Sequence, residues 1–506
     1  MKWIATAKEM KEIENSVIAD IGIPSLVLME RAAMSVTGKV IDKMAKKAKI
    51  CILCGGGNNG ADGVAIARQL MEQGYKPDVV LLAKEDRFSK ELKMQVDILA
   101  KLDVIFYNKI PDREYDCYID AIFGIGLTRD ITDTEILNVI KTVNASDAYI
   151  YSVDIPTGIH TDTGKIMGAA IKADETITFT CEKIGLCLYP GKEYAGKIHC
   201  HNIGIMESFV KIANPTHYGV NDILQFDPLK EFAYGNKGTY GKVAVIAGNT
   251  ETSGAALLCA KAAFMSGAGM VKVLSEDKTL DVIRVALPEA MVASLEDENK
   301  MESTIKEAVK WANCIVIGPG IGNDYKAYLK MFATLKDFPQ NKVLVVDADG
   351  INLLAKHKDL KEMTELVNNI VYTPHMMEFS RMTGFSIEEL KTDLDSIMSG
   401  ILEKEKAIYV CKDSVTRVYT NERPIYINKV GNSGMATAGS GDVLAGMIAA
   451  FTGRKDSCVY DETIRAVFLH SYAGDMAANE LGKNSLLAGD IIRHLSIILR
   501  TTEEGS

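Results

Sequence analysis

A glycine-rich stretch near the end of the chain places one carboxylate in a setting suited to phosphate chemistry. Residues 436–446 read Ala-Thr-Ala-Gly-Ser-Gly-Asp-Val-Leu-Ala-Gly and run directly into an apolar pattern with helical spacing. Gly439, Ser440 and Gly441 are therefore expected at a helix N-terminus, where outward-pointing backbone amides attract an anion. Asp442 would stand beside that anion and could accept a proton from an attacking hydroxyl. The alternative is structural, with Asp442 simply capping the helix.

Other loops of the second half could converge on the same place. Short apolar runs indicate strands at 242–247, 313–317, 343–346, 369–372 and 407–411. The polar or glycine-rich turns that follow four of them are Gly318-Pro319-Gly320-Ile321-Gly322, Asp347-Ala348-Asp349-Gly350, Thr373-Pro374-His375 and Lys412 to Thr416. One such turn is weak evidence, and His375 could equally make a structural hydrogen bond. Together the turns predict a single site at the carboxyl ends of a sheet.

A different polar loop lies in the first half, after the apolar run 49–54. It reads Gly-Gly-Gly-Asn-Asn-Gly-Ala-Asp-Gly over 55–63 and leads into a helical pattern from Val64. Glycines in a strand–loop–helix unit let backbone amides approach a phosphate or a dinucleotide. The loop departs from the usual G-x-G-x-x-G. Asn58, Asn59 and Asp62 add side-chain oxygens that could bind a ribose, an amide or a cation.

Two further carboxylates stand at the ends of predicted strands in this half. Strands at 78–82, 104–106, 116–123 and 149–153 alternate with helical segments, which predicts a doubly wound sheet. Asp120 and Asp154 should therefore lie over a site at the carboxyl ends of the strands. Either could instead cap a turn, but with the asparagine loop they form a candidate cluster.

The composition excludes several classes of protein. With 506 residues the chain is too long for one ordinary core, and 47% hydrophobic with 25% charged residues is typical of a globular protein. A formal net charge of −10 argues against a dedicated nucleic-acid or anionic-membrane binder, since both depend on a basic face. We find no apolar leader and no apolar run of membrane length.

The cysteines predict a reduced, cytoplasmic protein. Ten cysteines in a chain of this length are too dilute for a disulfide scaffold, and most lie inside apolar runs. Cys51-x-x-Cys54 could be read as a redox pair. Within a strand, however, these two side chains project to opposite faces, which argues against that reading.

Three spaced motifs of the first half resemble the NAD(P)H-hydrate epimerase domain family over about residues 1–212. They are Gly57–Gly63, Ile119–Leu127 and Val153–Gly158. The resemblance implies a potassium site formed by Asn59, Asp120 and Thr157. It implies substrate contacts from Asn58, Asn59, Gly60, Ala61, Asp62, Gly124, Ile125, Gly126, Leu127, Thr128, Arg129, Asp130 and Asp154.

Epimerisation inverts a hydroxyl-bearing carbon and needs groups that donate and accept protons. Asp154 is the expected catalytic group for that work. Lys183, in Cys-Glu-Lys-Ile-Gly at 181–185, is either its catalytic partner or a solvated charge at a strand end.

The second half resembles the ribokinase-like superfamily, and within it the ADP- or ATP-dependent NAD(P)H-hydrate dehydratases. The resemblance implies contacts to the hydrated dinucleotide from Ala255, Gly320, His375 and Asp442. It implies contacts to the nucleotide phosphates from Lys412, Asp413, Ser414, Val415, Thr416, Gly439, Ser440 and Gly441. After His375 the family usually has Pro-Gly-Glu, whereas this chain has Met376, Met377 and Glu378, which leaves the backbone path of that loop open.

The chemistry expected at Asp442 follows from the substrate. Asp442 accepts the proton of the C6 hydroxyl as that oxygen attacks the terminal phosphate, with Mg²⁺ and the amides of 439–442 offsetting the charge. A phosphate at C6 lies next to the ring nitrogen, whose lone pair can expel it. Loss of the C5 proton then restores the reduced nicotinamide.

The sequence thus predicts an α/β chain of two three-layer αβα domains. A Rossmann-like epimerase domain spans 1–212, a linker 213–232 and a ribokinase-like dehydratase domain 233–506. The predicted function is bifunctional repair of the hydrates of NADH and NADPH, using ADP in preference to ATP, by a homo-oligomer. The alternatives are a ribokinase-like small-molecule kinase that leaves the phosphate on its product, fused to a dinucleotide-binding module, or a first half without catalytic activity.

Overall fold

The computed structural model describes residues 2–102, 104–227, 229, 234–322, 325–334 and 338–504, with backbone only at 325–328 and 501–504. The chain divides into two compact units, Lys2–Tyr218 and Gly219–Ser506. Among the described helices, none combines the length and the apolar character needed to cross a membrane.

The first unit alternates strands with helices. Its strands are β1 (Lys2–Ala5), β2 (Ile50–Cys54), β3 (Asp78–Leu81), β4 (Phe106–Tyr107), β5 (Cys117–Ala121), β6 (Tyr149–Val153), β7 (Glu175–Phe179), β8 (Glu182–Lys183), β9 (Lys197–His201) and β10 (His217–Gly219). Its helices are α1 (Ala7–Ser16), α2 (Ser25–Lys43), α3 (Asn58–Glu72), α4 (Lys90–Ala100), α5 (Thr134–Asn144), α6 (Ile184–Cys187), α7 (Gly191–Tyr194) and α8 (Glu207–Ile212).

A seven-stranded parallel sheet forms the centre of this unit, in the order β4-β3-β2-β5-β6-β7-β9. The chain runs outward from β2 in one direction and from β5 in the other. The loops after β2 and β5 therefore diverge and leave a crevice at the carboxyl ends of these strands, where ligands bind in such folds. This is the doubly wound sheet that the sequence predicts.

Both faces of the sheet are covered, because its strands are apolar on both sides. Cys54 packs in a cluster with residues of α1 to α4, whereas Cys51 packs in a separate cluster with residues of α5. The two cysteines thus lie on opposite faces, and both are free thiols. The redox reading of Cys51 and Cys54 is therefore excluded, as expected from their spacing.

The second unit repeats the alternation with a longer set of elements. Its strands are β11 (Lys242–Ile246), β12 (Met270–Ser275), β13 (Met291–Ser294), β14 (Cys314–Ile317), β15 (Val343–Val346), β16 (Ile370–Tyr372), β17 (Ile408–Cys411), β18 (Arg417–Tyr419) and β19 (Ile425–Ile427). Its helices are α9 (Ser253–Met265), α10 (Asp277–Ala286), α11 (Glu298–Trp311), α12 (Tyr325–Ala333), α13 (Asp349–Lys356), α14 (Lys358–Thr364), α15 (Met376–Thr383), α16 (Ile387–Leu402), α17 (Ser440–Thr452), α18 (Val459–Leu481) and α19 (Ala488–Glu504).

Its sheet runs β13-β12-β11-β14-β15-β16-β17-β18-β19, parallel up to β17 and antiparallel for the last two pairs. Here the direction changes between β11 and β14, so the crevice opens beside the loops after these strands. Helix α17 packs closely on α9, since a side chain at Gly446 would meet the carbonyl oxygen of Cys259 at 2.1 Å. The predicted class of two α/β units with parallel sheets is confirmed.

Three details differ from the sequence prediction. The strand expected at 104–106 begins only at Phe106, and Ile105 is 70% exposed. The helix expected from Val64 begins at Asn58, so much of the polar loop is its first turn. The segment expected as a linker is shared between the units: Thr216 donates to Glu9 through its backbone and its hydroxyl, at 2.9 and 2.8 Å. Residues 228 and 230–233 lie outside the described residues.

Candidate active sites

The first site is built on the N-terminus of α3. The backbone hydrogen bonds of α3 begin at Ala61, whose amide donates to the Gly57 carbonyl at 3.2 Å. The amides of Asn58, Asn59 and Gly60 donate to no backbone carbonyl in the described part of the chain. Free amides at the positive end of a 15-residue helix form an anion-binding surface. The predicted strand–glycine–helix arrangement is thus present, although the helix starts earlier than expected.

Asp120 lies buried at the end of β5 and is saturated with hydrogen bonds. Its carboxylate accepts from the Thr157 hydroxyl at 2.6 Å, the Thr157 amide at 2.8 Å, the Ser152 hydroxyl at 2.9 Å and the Ile122 amide at 3.3 Å. Burial raises the pKa of Asp120, and these hydrogen bonds offset part of the rise. Within the described residues no Lys, Arg or His pairs with this carboxylate, so its charge lacks a counter-ion from the protein.

Asn59 completes this corner of the site. A side chain at Gly124 would meet the Asn59 amide at 3.3 Å, and the neighbouring Phe123 amide donates to the Thr157 hydroxyl at 3.0 Å. The amide nitrogen of Asn59 is buried without a hydrogen-bond partner. A flip of the side-chain amide would exchange its nitrogen and oxygen, so that the oxygen, which can bind a cation, lies at the position without a partner. The amide group of Asn59, the hydroxyl of Thr157 and the carboxylate of Asp120 thus lie at one corner of the site.

Asp154 and Lys183 form a buried ion pair. Lys183 is 1% exposed, and its ammonium donates to Asp154 Oδ1 at 2.5 Å, to the Thr178 hydroxyl at 2.7 Å and to the Phe179 carbonyl at 3.0 Å. Burial alone would lower the pKa of Lys183, but the Asp154 carboxylate outweighs it and the pKa is raised. The alternative of a solvated strand-end charge is therefore wrong, and Lys183 stands as an ammonium beside Asp154.

Two more carboxyl groups lie near this pair. Burial and then the Asp154 charge raise the pKa of Glu14 on α1 to about 7, with Lys183 and Lys11 acting against the rise. Burial, then Asp154 and Glu14, raise the pKa of Asp62 well above its usual range. Perturbed carboxyls grouped in this way mark a functional site. Sequence reasoning missed Glu14, because nothing in its helical context separates it from a surface residue.

The loop that follows β5 is less organised around this cluster. Gly126, Thr128, Arg129 and Asp130 are exposed, whereas Ile125 and Leu127 pack against the two clusters of the core. No described hydrogen bond joins this loop to Asp154. Its substrate contacts stay a prediction.

The second site is built on the N-terminus of α17, as the sequence predicts. Gly439 caps the helix with φ of +87°, a left-handed conformation that favours glycine, and no side chain caps it. The capping role considered for Asp442 is therefore wrong. The amides of Gly441 and Asp442 donate to no backbone carbonyl among the described residues, so they are available to an anion. His470 is buried in α18, and its Nε2 lies within hydrogen-bond distance, 3.0 Å, of the Ser440 carbonyl oxygen in the first turn of α17.

Asp442 has the properties of a proton acceptor. Burial and then the charges of Asp347 and Asp349 raise its pKa to about 7, against a partial offset from Lys412. A carboxyl that titrates near neutral pH can both take up and release a proton there. No described hydrogen bond occupies its oxygens.

Lys412 and Asp347 face Asp442 across the crevice. The Lys412 ammonium donates to Asp347 Oδ1 at 2.7 Å, and the Thr373 hydroxyl donates to the same oxygen at 2.7 Å. A side chain at Gly441 would come within 3.3 Å of the Lys412 ammonium. Lys412 therefore points at the free amides of α17, where a phosphate would lie. Asp347 was noticed in the sequence only as a carboxylate at a strand end, without a role.

His375 has a structural task that the sequence left open. Its ring Nδ1 accepts from the amides of Met377 and Glu378 at 3.1 and 3.2 Å, and Glu378 accepts from the His375 amide at 2.9 Å. This reciprocal pair caps α15 and resolves the backbone path where the family motif is altered. The ring stays 49% exposed, so its contact with substrate remains a prediction.

Ala255 and Gly320 lie against each other at the change of strand direction. A side chain at Gly320 would meet the Ala255 methyl at 2.8 Å, and the Thr252 hydroxyl donates to the Gly320 carbonyl. In the loop after β17, Asp413 and Ser414 are exposed but Val415 is buried. Val415 could therefore contact a nucleotide through its backbone but not through its side chain.

Two protein-family models match the chain. The model described as NAD(P)H-hydrate dehydratase matches residues 243–496, and the model described as YjeF-related protein N-terminus matches residues 25–185. They correspond to the two halves in which the two sites lie.

Curated relatives match both halves at once. The bifunctional NAD(P)H-hydrate repair enzyme of Thermofilum pendens is 32% identical over 520 residues, covering 99% of this chain and 97% of that protein. Its counterpart in Escherichia coli is 33% identical, covering 88% of this chain and 84% of that protein. A solved ribokinase-like superfamily protein from Enterococcus faecalis is 28% identical with a TM-score of 0.51, covering 57% of this chain and 96% of that one.

Proposed function

This chain belongs to the family of bifunctional NAD(P)H-hydrate repair enzymes, and from that premise we propose which of its residues perform each activity. The enzyme interconverts the R and S hydrates of NADH and NADPH and dehydrates the S form to the intact cofactor. We assign dehydration to the cluster around Asp442 and epimerisation to the cluster around Asp154.

Asp442 is the base of dehydration. Its raised pKa, about 7, beside free amides and the Lys412 ammonium is the observation that supports this role. Asp442 takes the proton of the C6 hydroxyl, and the hydroxyl oxygen attacks the terminal phosphorus of ADP or ATP, whose bond to the bridging oxygen breaks so that AMP or ADP leaves. The amides of Gly441 and Asp442 and the ammonium of Lys412 hold the transferred phosphoryl group. The ring nitrogen then expels phosphate, and loss of the C5 proton completes the reaction.

The charge of this site fits a divalent cation that arrives with the nucleotide. Asp347, Glu378 and Asp442 supply three carboxyl groups against the single ammonium of Lys412. Mg²⁺ typically binds through one or two carboxylates and the substrate phosphates, and the carboxyl groups of this site would supply the protein ligands. Bound there, Mg²⁺ would neutralise charge on the transferred phosphate.

Asp154 is the group that exchanges protons with the hydrated ring during epimerisation. Lys183 has an acceptor for each of its three N–H groups and so remains an ammonium that holds Asp154 in place. The free amides of α3 would bind the phosphates of the dinucleotide. Asn59, Asp120 and Thr157 would hold potassium, whose charge would balance the buried Asp120 carboxylate.

The two roles can be separated by substitution. Asp442→Ala should abolish dehydration and leave epimerisation intact, and Asp154→Ala should do the reverse. Return of absorbance at the reduced-nicotinamide band, with ADP or ATP present, measures dehydration, and chromatographic separation of the R and S forms measures epimerisation. A phosphorylated product without return of that band would favour the kinase alternative. Loss of both activities in either folded variant would disprove the division.

Location and assembly belong to the same proposal. All ten cysteines are free thiols, which supports a reducing compartment such as the cytoplasm. A homo-oligomer rests on the family resemblance and is checked by light scattering of the purified chain.

A further inference from the structure

Thr178 lies in β7 with its hydroxyl between Lys183 and Asp154. The residue is completely buried. Its oxygen is 2.7 Å from the Lys183 ammonium and 3.1 Å from Asp154 Oδ1. An ammonium can only donate, so the Thr178 oxygen accepts from Lys183, and its own hydrogen is left for Asp154.

The two oxygens of Asp154 are consequently unequal. Oδ1 accepts from Lys183 at 2.5 Å and from Thr178 at 3.1 Å. No described residue donates to Oδ2, and the side chain is 13% exposed. The backbone of Asp154 has φ of +68°, in the left-handed region that residues other than glycine seldom adopt. The carboxylate is thus held through one oxygen and presents the other.

We propose that Thr178 is a positioning residue for epimerisation, which turns the Asp154 carboxylate so that Oδ2 is the oxygen that exchanges a proton with the hydrated ring. The inference rests on the proposed role of Asp154. Oδ2 takes the proton of the C6 hydroxyl; as the C6–O bond becomes a carbonyl, the bond from C6 to the ring nitrogen breaks and its electron pair goes to that nitrogen. After rotation about the C5–C6 bond, the nitrogen adds to the opposite face of the carbonyl and Oδ2 returns the proton to the oxygen, so C6 is inverted and the enzyme ends unchanged.

Without the Thr178 hydroxyl, Lys183 would still pair with Asp154, but only one hydrogen bond would set the rotation of the carboxylate. The substrate would bind as before, since Thr178 is buried behind Asp154. The chemical step would suffer, because a misplaced catalytic group lowers the rate steeply. The expected signature is therefore a fall in kcat with little change in KM.

The chain offers a matched control on the same strand. Thr176 is also completely buried, and it lies two residues away on the same face of β7. Its hydroxyl donates to the Ala195 carbonyl at 2.7 Å, not to Asp154. Thr178→Val and Thr176→Val therefore remove equivalent buried hydroxyls, with only the first touching the acid–base pair.

The experiment compares epimerisation by the full-length variants, with dehydration by the same samples as the internal control. Thr178→Val should lower kcat roughly tenfold or more with KM nearly unchanged, and Thr178→Ser should keep kcat within about a factor of three. Thr176→Val should epimerise like the wild type. Equal kcat in Thr178→Val and Thr176→Val overturns the inference.

Two further variants keep the test decisive. If Thr178→Val does not fold, Thr178→Ser is compared with Thr178→Cys, whose thiol is a weak donor, and equal kcat in these two overturns the inference. An Asp154→Asn chain that still epimerises overturns the proposed function. An inactive Asp154→Asn chain beside a fully active Thr178→Val chain overturns only the role of Thr178.

Discussion

Dehydration should depend steeply on pH just below neutrality, because Asp442 must be ionised to accept the hydroxyl proton. Burial, Asp347 and Asp349 raise the pKa of Asp442 to about 7. Stabilising the protonated form means that the base is lost as pH falls through that value and is present above it. At pH 6 about one Asp442 in eleven is ionised, so kcat/KM should be roughly a tenth of its plateau.

Asp347→Asn tests the cause of this dependence. Removing the Asp347 charge removes the second-largest influence that raises the pKa of Asp442, and it leaves the Lys412 ammonium free to favour the ionised form. Both effects act in one direction. The acid limb of the profile should move to lower pH by roughly one unit. The plateau value of kcat/KM should fall as well, because the Lys412 ammonium loses the ion pair with the Asp347 carboxylate that holds it in place.

The assay is the return of reduced-nicotinamide absorbance from the S hydrate between about pH 6 and pH 8, a range that brackets the expected inflection. Supplying the S form keeps epimerisation from limiting the rate. Asp281→Asn is the matched control, since Asp281 is an exposed carboxylate in the same unit and pairs with Arg284. A flat wild-type profile, or an acid limb that Asp347→Asn leaves in place, would refute the assignment of Asp442 as the base.

Three other experiments give separate checks. Lys183→Met leaves the Asp154 carboxylate without its cation. It should abolish epimerisation and lower the free energy of unfolding of the first unit by about 3–5 kcal/mol in chemical denaturation. Lys172→Met removes a cation from an exposed pair and should change neither quantity. Replacing potassium with a large organic cation should lower the epimerisation rate and the unfolding temperature of the wild type. It should leave the rate and the unfolding temperature of Asp120→Asn unchanged. The same response in both chains would argue against this ion site. Gly441→Ala puts a methyl group 3.3 Å from the Lys412 ammonium and should raise KM for the nucleotide roughly tenfold. Gly400→Ala, where a side chain would meet open space, is its control. Equal KM values in the two variants would contradict the proposed position of the phosphate.

Local sequence patterns were sufficient for the framework of both sites. Short apolar runs ended by glycine-rich turns predicted the strands, because strand length and turn chemistry are local properties. Parallel strands bring their carboxyl ends to one edge, so Asp120 and Asp154 could be expected at one site, and the glycine-rich start of a helix indicated Asp442. The same reasoning failed at the start of α3, where polar residues before Val64 proved to be the first turn of a helix.

What only the tertiary structure decided is which charges meet. Whether Lys183 is solvated or buried depends on the packing of β7 and β8 around it, and no spacing in the sequence records that. The contacts of Lys412 with Asp347 and of Thr178 with Asp154 join residues in or directly after different strands, and Glu14 reaches its site from α1. Ionisation and hydrogen bonding depend on distance and on burial, both of which are set when the sheet brings distant segments together. The sequence alone therefore determined the fold class and the motif positions, and folding determined the protonation chemistry.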